Sequence, residues 1–336
     1  MTTGGAKLNK QKDPTLTFII SQPRSGSTLL QAILGSHPEV YTCSEPWIAL
    51  PFIYALKEEG SEFDFHGKLS KHAIRAFFQE SGIDEDFFNS KLNSFLTSLY
   101  YKALTNNNKR IFIDKTPRYY EVASDLIKIF PKAKFIVIYR HPLAVLNSIL
   151  NTWVKQDIEK LFFYSRDLLI GPKKLSTFAS EHHDRICLVK YEEIVRSPEI
   201  QIKNICEYIG IDYLSEIINY NSNVNWTYGD KNFKEKKVPD IISIDSWKTQ
   251  LTDKRTANFS HYYLKELGED IFNTLGYDFS SALEEIIKFH PNNNDLKTWK
   301  ALLNVQHVVP VEEQMLRAKG SIRRNYLKIL YRKLIP

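Results

Sequence analysis

Cysteine and long apolar segments are scarce in this 336-residue chain. It has three cysteines, and it lacks any apolar run of about 18 residues or more, so nothing in it predicts a membrane-spanning helix. The odd number and wide spacing of Cys43, Cys187 and Cys206 argue against a disulfide framework and against a zinc site. Cys187 lies in a strand-like apolar run and Cys206 in a helical one, so both are expected in the core.

An excess of charge of one sign is also lacking. The net charge of +6 favours anionic ligands but is too small to predict a nucleic-acid partner. The polar first residues contain no apolar segment like that of a signal peptide, which predicts a soluble, cytoplasmic protein. His182 and His183 form the only adjacent histidine pair, and neighbouring side chains cannot share a helix face, so we expect no metal site.

The most informative segment covers residues 15–30, TLTFIISQPRSGSTLL. A strand-like apolar run ends in a turn with Pro23 and Gly26, and apolar residues at helical spacing follow. This order forms a phosphate-binding device, because the first N–H groups of the helix are unpaired. The common nucleotide-hydrolase loop has a lysine where this chain has Ser27, and the cation here is Arg24. We therefore expect an anionic nucleotide that is not held as ATP with magnesium.

Four short apolar runs predict strands, at residues 16–21, 110–114, 134–140 and 185–191. Near-continuous apolar strands that alternate with helices predict a three-layer α/β fold, in which a central parallel sheet is covered on both faces. Ligands of such sheets bind at the carboxyl ends of the strands. Cations follow the first three runs, at Arg24, Lys115 and Arg140, as expected for an anion site.

The chain as a whole predicts one domain with two tails. Residues 1–14 are expected to form a disordered arm, residues 15–280 the domain, and residues 281–336 a helical basic extension. A helix is predicted over 261–275, and the aromatic helices expected over 63–108 should pack mostly in the core, with a lid over the ligand as the alternative. The extension has an amphipathic pattern that fits a docked helix or weak contact with anionic membranes.

Several motifs follow the loop in a distinctive order. They are Ser44-Glu45-Pro46-Trp47, Asp114-Lys115-Thr116-Pro117, an R-x7-S pattern from Arg140 to Ser148, and the run from Lys190 through Tyr191 to Glu193. In this order and spacing, residues 15–277 resemble the sulfotransferases that use 3′-phosphoadenosine 5′-phosphosulfate (PAPS). The resemblance is to the branch that contains protein-tyrosine sulfotransferases and many bacterial sulfotransferases.

The resemblance implies a role for each motif. PAPS would be the co-substrate, released as adenosine 3′,5′-bisphosphate (PAP), and no metal is expected because a sulfuryl group has less charge than a phosphoryl group. The residues implied at the 5′-phosphosulfate are Arg24, Ser25, Gly26, Ser27 and Thr28. The residues implied elsewhere on the nucleotide are Arg140 and Ser148 at the 3′-phosphate, with Tyr191 and Lys237 nearby. A core tyrosine and a solvated basic run are the alternatives for the last two.

An alcohol or phenol acceptor needs a general base, and the resemblance assigns that role to Glu45. A helix start at Ser44-Glu45-Pro46 is the structural alternative. His37 and Asp114 are the other candidate bases. The resemblance places Lys115 near the transferred group as a charge stabiliser, with a plain ion pair to a neighbouring carboxylate as the alternative.

The resemblance is incomplete at the acceptor. The protein-tyrosine branch has two acidic residues where this chain has Ser44-Glu45, so a small-molecule, glycan or lipid-like hydroxyl acceptor is expected rather than a peptide tyrosine. Two other functions remain open. One is a P-loop-type nucleotide kinase, which would need a loop lysine and a magnesium-binding carboxylate. The other is a non-catalytic protein that binds PAP or PAPS.

Overall fold

A parallel sheet of five strands lies at the centre of this computed structural model, which describes residues 13–57, 67–155, 158–220, 241–251 and 254–291. The strands are β1 (Thr15–Ser21), β2 (Val40–Thr42), β3 (Ile111–Lys115), β4 (Lys134–Tyr139) and β5 (Ile186–Lys190). They lie in the order β2-β3-β1-β4-β5, and every neighbouring pair is parallel. The predicted α/β class and parallel sheet are confirmed. The three-residue edge strand β2 was not among the four predicted runs.

Helices connect and cover these strands. They are α1 (Ser27–Gly35), α2 (Leu50–Tyr54), α3 (Gly67–Ser81), α4 (Glu85–Asn106), α5 (Ala123–Ile129), α6 (Pro142–Ile149), α7 (Ser165–Glu181), α8 (Tyr191–Arg196), α9 (Pro198–Ile209), α10 (Ile242–Thr249), α11 (Lys254–Leu267), α12 (Glu269–Thr274) and α13 (Phe279–Ile287). A π-helical turn, Leu150–Val154, extends α6, and a 3-10 helix, Pro117–Glu121, follows β3. No helix in the described ranges is both long and apolar enough to cross a membrane.

The side chains of β1 show how the layers form. Phe18 and Ile20 belong to an apolar cluster with α4, α5 and α7, whereas Ile19 belongs to a second cluster with α1, α8 and α9. All three side chains are buried. Burial of one such side chain contributes about 1.5–3 kcal/mol relative to exposure. Because helices cover both faces, every position of the strand after Thr15 is buried, which explains the near-continuous apolar pattern in the sequence.

The last helices form a third apolar cluster against α6 and α7. Tyr263 of α11, Phe272 of α12 and Ile286 of α13 are all fully buried in it. Gly268 separates α11 from α12 with a φ of 88°, so the single helix predicted over 261–275 is wrong. Glycine adopts a positive φ without steric cost, and such a residue ends a helix. The boundary predicted at residue 280, between the domain and the C-terminal extension, falls within α13, and α13 packs in this cluster.

The aromatic residues of α3 and α4 are less buried than expected. The exposed ones are Phe77, Phe87, Phe95 and Tyr101. Phe78 and Phe88 are half-buried, and Tyr100 is buried. The expected core packing is therefore wrong for the four exposed residues. The buried face of α4 is occupied instead by every fourth residue from Leu92 to Leu104.

Some predictions fall outside the described residues. The N-terminal arm is described only from residue 13, and the basic extension only as far as residue 291. The membrane contact predicted for the extension therefore lies outside the described part, as does Lys237 in the gap between residues 220 and 241.

The carboxyl ends of β1, β3 and β4 lie side by side at one edge of the sheet. Ile19 of β1 is in register with Lys115 of β3, and Ser21 of β1 with Ile138 of β4. This register brings the turn after β1, the Lys115 side chain and Arg140 to the same edge, where ligands of parallel sheets bind.

Candidate active site

The turn between β1 and α1 contains two residues with positive φ, 68° at Arg24 and 88° at Gly26. Gly26 has a second reason to be glycine, because a Cβ at this position would overlap the ring of Tyr191. The turn therefore lies in close contact with the start of α8. Helix α1 begins directly after Gly26, at Ser27. Its first N–H groups are available to an anion at the edge of the sheet.

The same turn contains a buried hydroxyl with no partner. Ser25 is 1% exposed, and its Oγ has no hydrogen-bond partner among the described residues. Nearly all buried polar groups are satisfied, so an orphaned hydroxyl beside a helix N-terminus indicates a position for a ligand oxygen. Ser27 and Thr28 line the adjoining cleft. These residues fit the phosphosulfate end of PAPS.

The Arg24 side chain is held by α6 and the π-helical turn. Its Nε donates to Ser148 Oγ at 3.0 Å, and a terminal nitrogen donates to Thr152 Oγ1 at 3.3 Å. The guanidinium carbon lies 5.3 Å from the ring centroid of Trp153. A planar guanidinium can combine hydroxyl contacts with a cation–π contact, which a lysine does less well.

Arg140 joins the turn to α10. One terminal nitrogen donates to the backbone oxygen of Arg24 at 2.9 Å, and the other to that of Ser243 at 3.0 Å. The guanidinium lies 4.2 Å from the ring centroid of Tyr191, whose hydroxyl is 2.6 Å from Ser243 Oγ. Burial lowers the pKa of Arg140, and its Nε has no partner among the described residues. Ser148, which the resemblance places with Arg140 at the 3′-phosphate, accepts a hydrogen bond from Arg24.

Glu45 and Lys115 form an ion pair at the end of β3. Lys115 Nζ lies 2.8 Å from Glu45 Oε1, and the exposed fractions of the two side chains are 1% and 12%. Trp47 Nε1 donates to the other carboxylate oxygen at 3.3 Å. Glu45 does not begin a helix, since α2 starts five residues later at Leu50. Each carboxylate oxygen accepts more than one hydrogen bond, so Glu45 can still receive a further proton donor.

The two other candidate bases have different surroundings. Asp114 is 1% exposed and accepts hydrogen bonds from Tyr100, Tyr119 and Thr116 at 2.6, 2.8 and 3.1 Å. Burial raises the pKa of Asp114 to about 6 despite these donors. Asp114 is enclosed below the cleft, so a direct role as base is not supported.

His37 follows the far end of α1 from the phosphate-binding turn. Its Nδ1 accepts the N–H of Glu39 at 3.1 Å, and Nε2 lies 3.1 Å from the backbone oxygen of Asp212. This pairing corresponds to a neutral ring with the proton on Nε2, and burial lowers the pKa of His37. His37 caps local structure and does not reach the site.

A cleft of about 550 Å³ brings the turn and the ion pair together. It is lined by Arg24, Ser27, Thr28, Glu45, Trp47, Lys115, Arg118, Thr152, Trp153, Tyr164 and others. Within the described ranges, no group of three or more His, Cys, Asp or Glu side chains is placed to hold a metal ion.

Sequence reasoning missed several residues of this cleft. Arg118 directly follows the Lys-Thr-Pro motif and pairs with the buried carboxylate of Asp167 at 2.9 Å, and its proximity to the motif could have indicated it. Thr152 and Trp153 had no such signal, because a π-helical turn sets their direction and helical spacing does not reveal it. The ring of Trp153 stacks on that of Tyr164, with centroids 4.8 Å apart.

Comparison with known proteins agrees with this geometry. The model of the sulfotransferase family matches residues 16–216. Nodulation protein NoeE of Sinorhizobium fredii is 26% identical over 80% of this chain and 67% of its own length. Protein-tyrosine sulfotransferase 1 of Danio rerio is 28% identical over 62% of this chain and 57% of its own length. The chain thus spans between half and about two thirds of the length of these curated relatives.

Solved structures give the same result. The sulfotransferase domain of the Synechococcus PCC 7002 olefin synthase superposes with a TM-score of 0.51 at 25% identity, covering 80% of this chain and 97% of that domain. The sulfotransferase domain from the curacin biosynthetic pathway shares the fold, with a TM-score of 0.52 at 21% identity over 79% of this chain and 98% of that domain. The predicted family is confirmed, because the family model covers more than half of the residues: the chain belongs to the sulfotransferase family.

Proposed function

We propose that the protein transfers a sulfuryl group from PAPS to a hydroxyl of a small-molecule, glycan or lipid-like acceptor, with Glu45 as the general base. One observation carries the proposal. A single cleft contains both the residues that can bind a phosphosulfate and a carboxylate paired with a lysine at the end of β3.

The donor end is supported by the turn after β1. The N–H groups of α1, the orphaned hydroxyl of Ser25 and the hydroxyls of Ser27 and Thr28 would bind the anionic oxygens of the 5′-phosphosulfate. Gly26 permits the close contact of this turn with Tyr191 because it has no side chain. In this assignment the protein recognises charge through small donors that need no rearrangement.

The nucleotide end is assigned to Arg140, Ser148, Tyr191 and Lys237, of which Lys237 lies outside the described residues. The unpartnered Nε of Arg140 is available to a phosphate oxygen. Ser148 Oγ accepts from Arg24, which leaves its own O–H able to donate to a phosphate. Ser148 would then link the cation at the phosphosulfate with the 3′-phosphate.

The chemistry follows from the ion pair. Glu45 accepts the proton of the acceptor hydroxyl as the hydroxyl oxygen bonds to sulfur. The bond between sulfur and the bridging oxygen breaks, and its electron pair stays on the 5′-phosphate of PAP. Lys115 and Arg24 stabilise the negative charge that develops on the transferred group and on the leaving oxygen. After transfer, the proton resides on Glu45 and can pass to solvent.

The family relationship weighs against the two alternatives. A nucleotide kinase would need a loop lysine, and this turn has Arg24 and Ser27. A non-catalytic binding protein would have no need for an ion-paired glutamate in the donor cleft. Both alternatives differ from the proposal in a measurable way.

The first test is calorimetric titration of the full chain with PAP, and with ATP in the presence and absence of Mg²⁺. We expect micromolar affinity for PAP that EDTA does not change and that exceeds the affinity for ATP. Binding of ATP that requires Mg²⁺, without binding of PAP, would overturn the proposal in favour of a kinase. Binding of PAP without release of PAP from PAPS in the presence of a broad acceptor panel would indicate the non-catalytic alternative.

A further inference from the structure

Trp47 has features that the proposed reaction leaves unexplained. Its indole is 42% exposed and lines the cleft. Its φ of 57° is in the left-handed region, which is unusual for a bulky residue. Such backbone costs conformational free energy, and it persists where surrounding contacts enforce it, often at binding and active sites.

Two hydrogen bonds enforce this conformation. Thr116 Oγ1 accepts the backbone N–H of Trp47 at 3.3 Å and donates to the buried carboxylate of Asp114 at 3.1 Å. On the other side, the indole Nε1 donates to Glu45 Oε2 at 3.3 Å. Because Thr116 and Asp114 are both buried, they fix the backbone of Trp47 from the sheet side, while Glu45 holds the indole and much of the ring remains open to the cleft.

The same cleft contains two further rings, those of Trp153 and Tyr164, which stack on each other. Three aromatic side chains therefore line the space beside the proposed base. Rigid rings offer a large contact area and lose little conformational entropy when a ligand binds.

We propose that Trp47 is a specificity-determining residue that contacts the face of a ring in the acceptor and so directs a hydroxyl of that ring to Glu45. This inference rests on the proposed function, because it names the substrate class of the same site. The indole is bonded to the carboxylate that receives the proton, so the carbon that bears the reacting hydroxyl must lie beside the indole. A flat or chair-shaped ring fits such a surface better than a flexible chain. The acceptor class is thus a cyclic alcohol, which is either a phenol or a sugar.

The test uses three probes with PAPS as donor: 4-nitrophenol, methyl glucopyranoside and 1-hexanol. Binding to the PAP-loaded protein is measured by calorimetry, and PAP release by steady-state kinetics. We expect at least one of the two ring probes to bind and react with a higher kcat/KM than 1-hexanol. Which ring probe is preferred distinguishes the phenol from the sugar. Equal use of 1-hexanol, or PAP binding without binding of either ring probe, overturns the inference.

Three variants assign the preference to Trp47. Trp47→Gly adopts the left-handed backbone freely and is therefore expected to fold, but its KM for the ring probe should rise roughly 10- to 100-fold, the range typical of a lost aromatic anchor. Trp47→Phe keeps a ring and loses the N–H donor, so its KM should rise much less. Phe87→Ala removes an exposed ring on α4 that does not line the cleft, so it should leave the KM for the ring probe unchanged.

An unchanged KM in Trp47→Gly overturns the inference, and so does an equal rise in Trp47→Phe, which would indicate that the N–H donor matters and the ring does not. The PAP affinity of all three variants should equal that of the wild type. If the wild-type protein itself does not bind PAP, the proposed function fails before this inference is reached.

Discussion

The two sides of the cleft are built in different ways. The proposed donor side comes mainly from the turn at residues 24–28, of which Arg24, Ser27 and Thr28 line the cleft and Ser25 is buried. The proposed acceptor side combines Glu45 and Trp47 with Arg118, Trp153 and Tyr164, which lie on separate segments. A phosphate group needs local donors at fixed spacing, so a short motif can encode its site. An acceptor is recognised by shape, and only tertiary packing assembles that shape.

This contrast predicts different consequences of mutation. Changes on the donor side should weaken nucleotide binding, whereas changes on the acceptor side should alter turnover without altering PAP affinity. Four experiments test this division.

The largest effect is expected for Glu45→Gln, which keeps the size of the side chain but removes the proton acceptor. We expect kcat to fall by about 10²- to 10⁴-fold, because this is the usual contribution of a general base. PAP affinity measured by calorimetry should not change. Glu39→Gln is the matched control, since Glu39 pairs with Arg110 outside the cleft. Residual activity equal to that of the control would exclude Glu45 as the base.

Arg24→Ala tests the residue that belongs to both sides, since its side chain reaches the wall of the acceptor cleft. Loss of one charge-stabilising donor should lower kcat by about 10²- to 10³-fold. PAP lacks the sulfuryl group, so its affinity should fall by much less. Thr152→Val removes only the 3.3 Å contact to Arg24 and should have a small effect on kcat. Similar losses in the two variants would mean that Arg24 acts only through its place in the wall.

Asp114 lies beneath the acceptor side and should affect stability in a defined pH range. Its folded-state pKa is about 6, above the ordinary value of 3.8, because burial disfavours the charged form. In the unfolded chain the carboxyl ionises near pH 4, so its stabilising contribution is complete below that pH and is lost as the pH rises through 6. The change corresponds to about 3 kcal/mol.

The measurement is the free energy of unfolding in urea at pH 4 to 7 for the wild type and Asp114→Asn. The variant cannot ionise at this position, so the stability of the wild type relative to the variant should decrease from pH 4 to 7. A difference that does not depend on pH would contradict the assigned titration. PAP affinity at pH 7 should be the same in both proteins if Asp114 supports only the acceptor side.

The smallest effect is expected for Gly26→Ala on the donor side. The new Cβ would collide with Tyr191 and would also hold alanine at a φ of 88°, which together should destabilise the fold by about 1–3 kcal/mol. PAP affinity should fall as well, because the turn and Tyr191 must move apart. Gly82→Ala is the matched control, with a φ of 65° and open space around the Cβ. It should cost about 1 kcal/mol and leave PAP affinity unchanged.

Most of the fold could be predicted from the sequence, but only part of the cleft could. Strands β1, β3 and β4 were predictable because burial on both faces makes them mostly apolar. The edge strand β5 was predictable from its apolar residues, although it is only partly buried. The edge strand β2 was not among the predicted sheet strands, because three residues are too few for a periodic pattern. The break at Gly268 was overlooked because apolar residues continue at helical spacing on both sides of it.

The burial of the aromatic residues on α4 could not be predicted from periodicity alone either. Phe95 and Tyr100 both fit a helical stripe in the sequence, but only Tyr100 faces the sheet. Which of two stripes on α4 is buried depends on how the helix is rotated against α5 and the sheet, and periodicity does not determine that rotation. The motif indicated Glu45 as a candidate base, and an ion pair with a neighbouring carboxylate was the alternative for Lys115. That this carboxylate is Glu45 follows only from the tertiary structure, in which β2 pairs with β3.

The number of residues in the π-helical turn Leu150–Val154 determines the direction of side chains in one wall of the cleft. The N–H of Lys155 reaches back five residues to the backbone oxygen of Leu150, so this turn contains one residue more than an α-helical turn. Each residue of a helix rotates the next side chain by about 100°. Deletion of a single residue from this turn would rotate the Trp153 indole away from Arg24. Many substitutions in the turn would leave the direction of the side chain at position 153 unchanged. Diversification of this wall is therefore expected to proceed through insertion and deletion more readily than through point mutation.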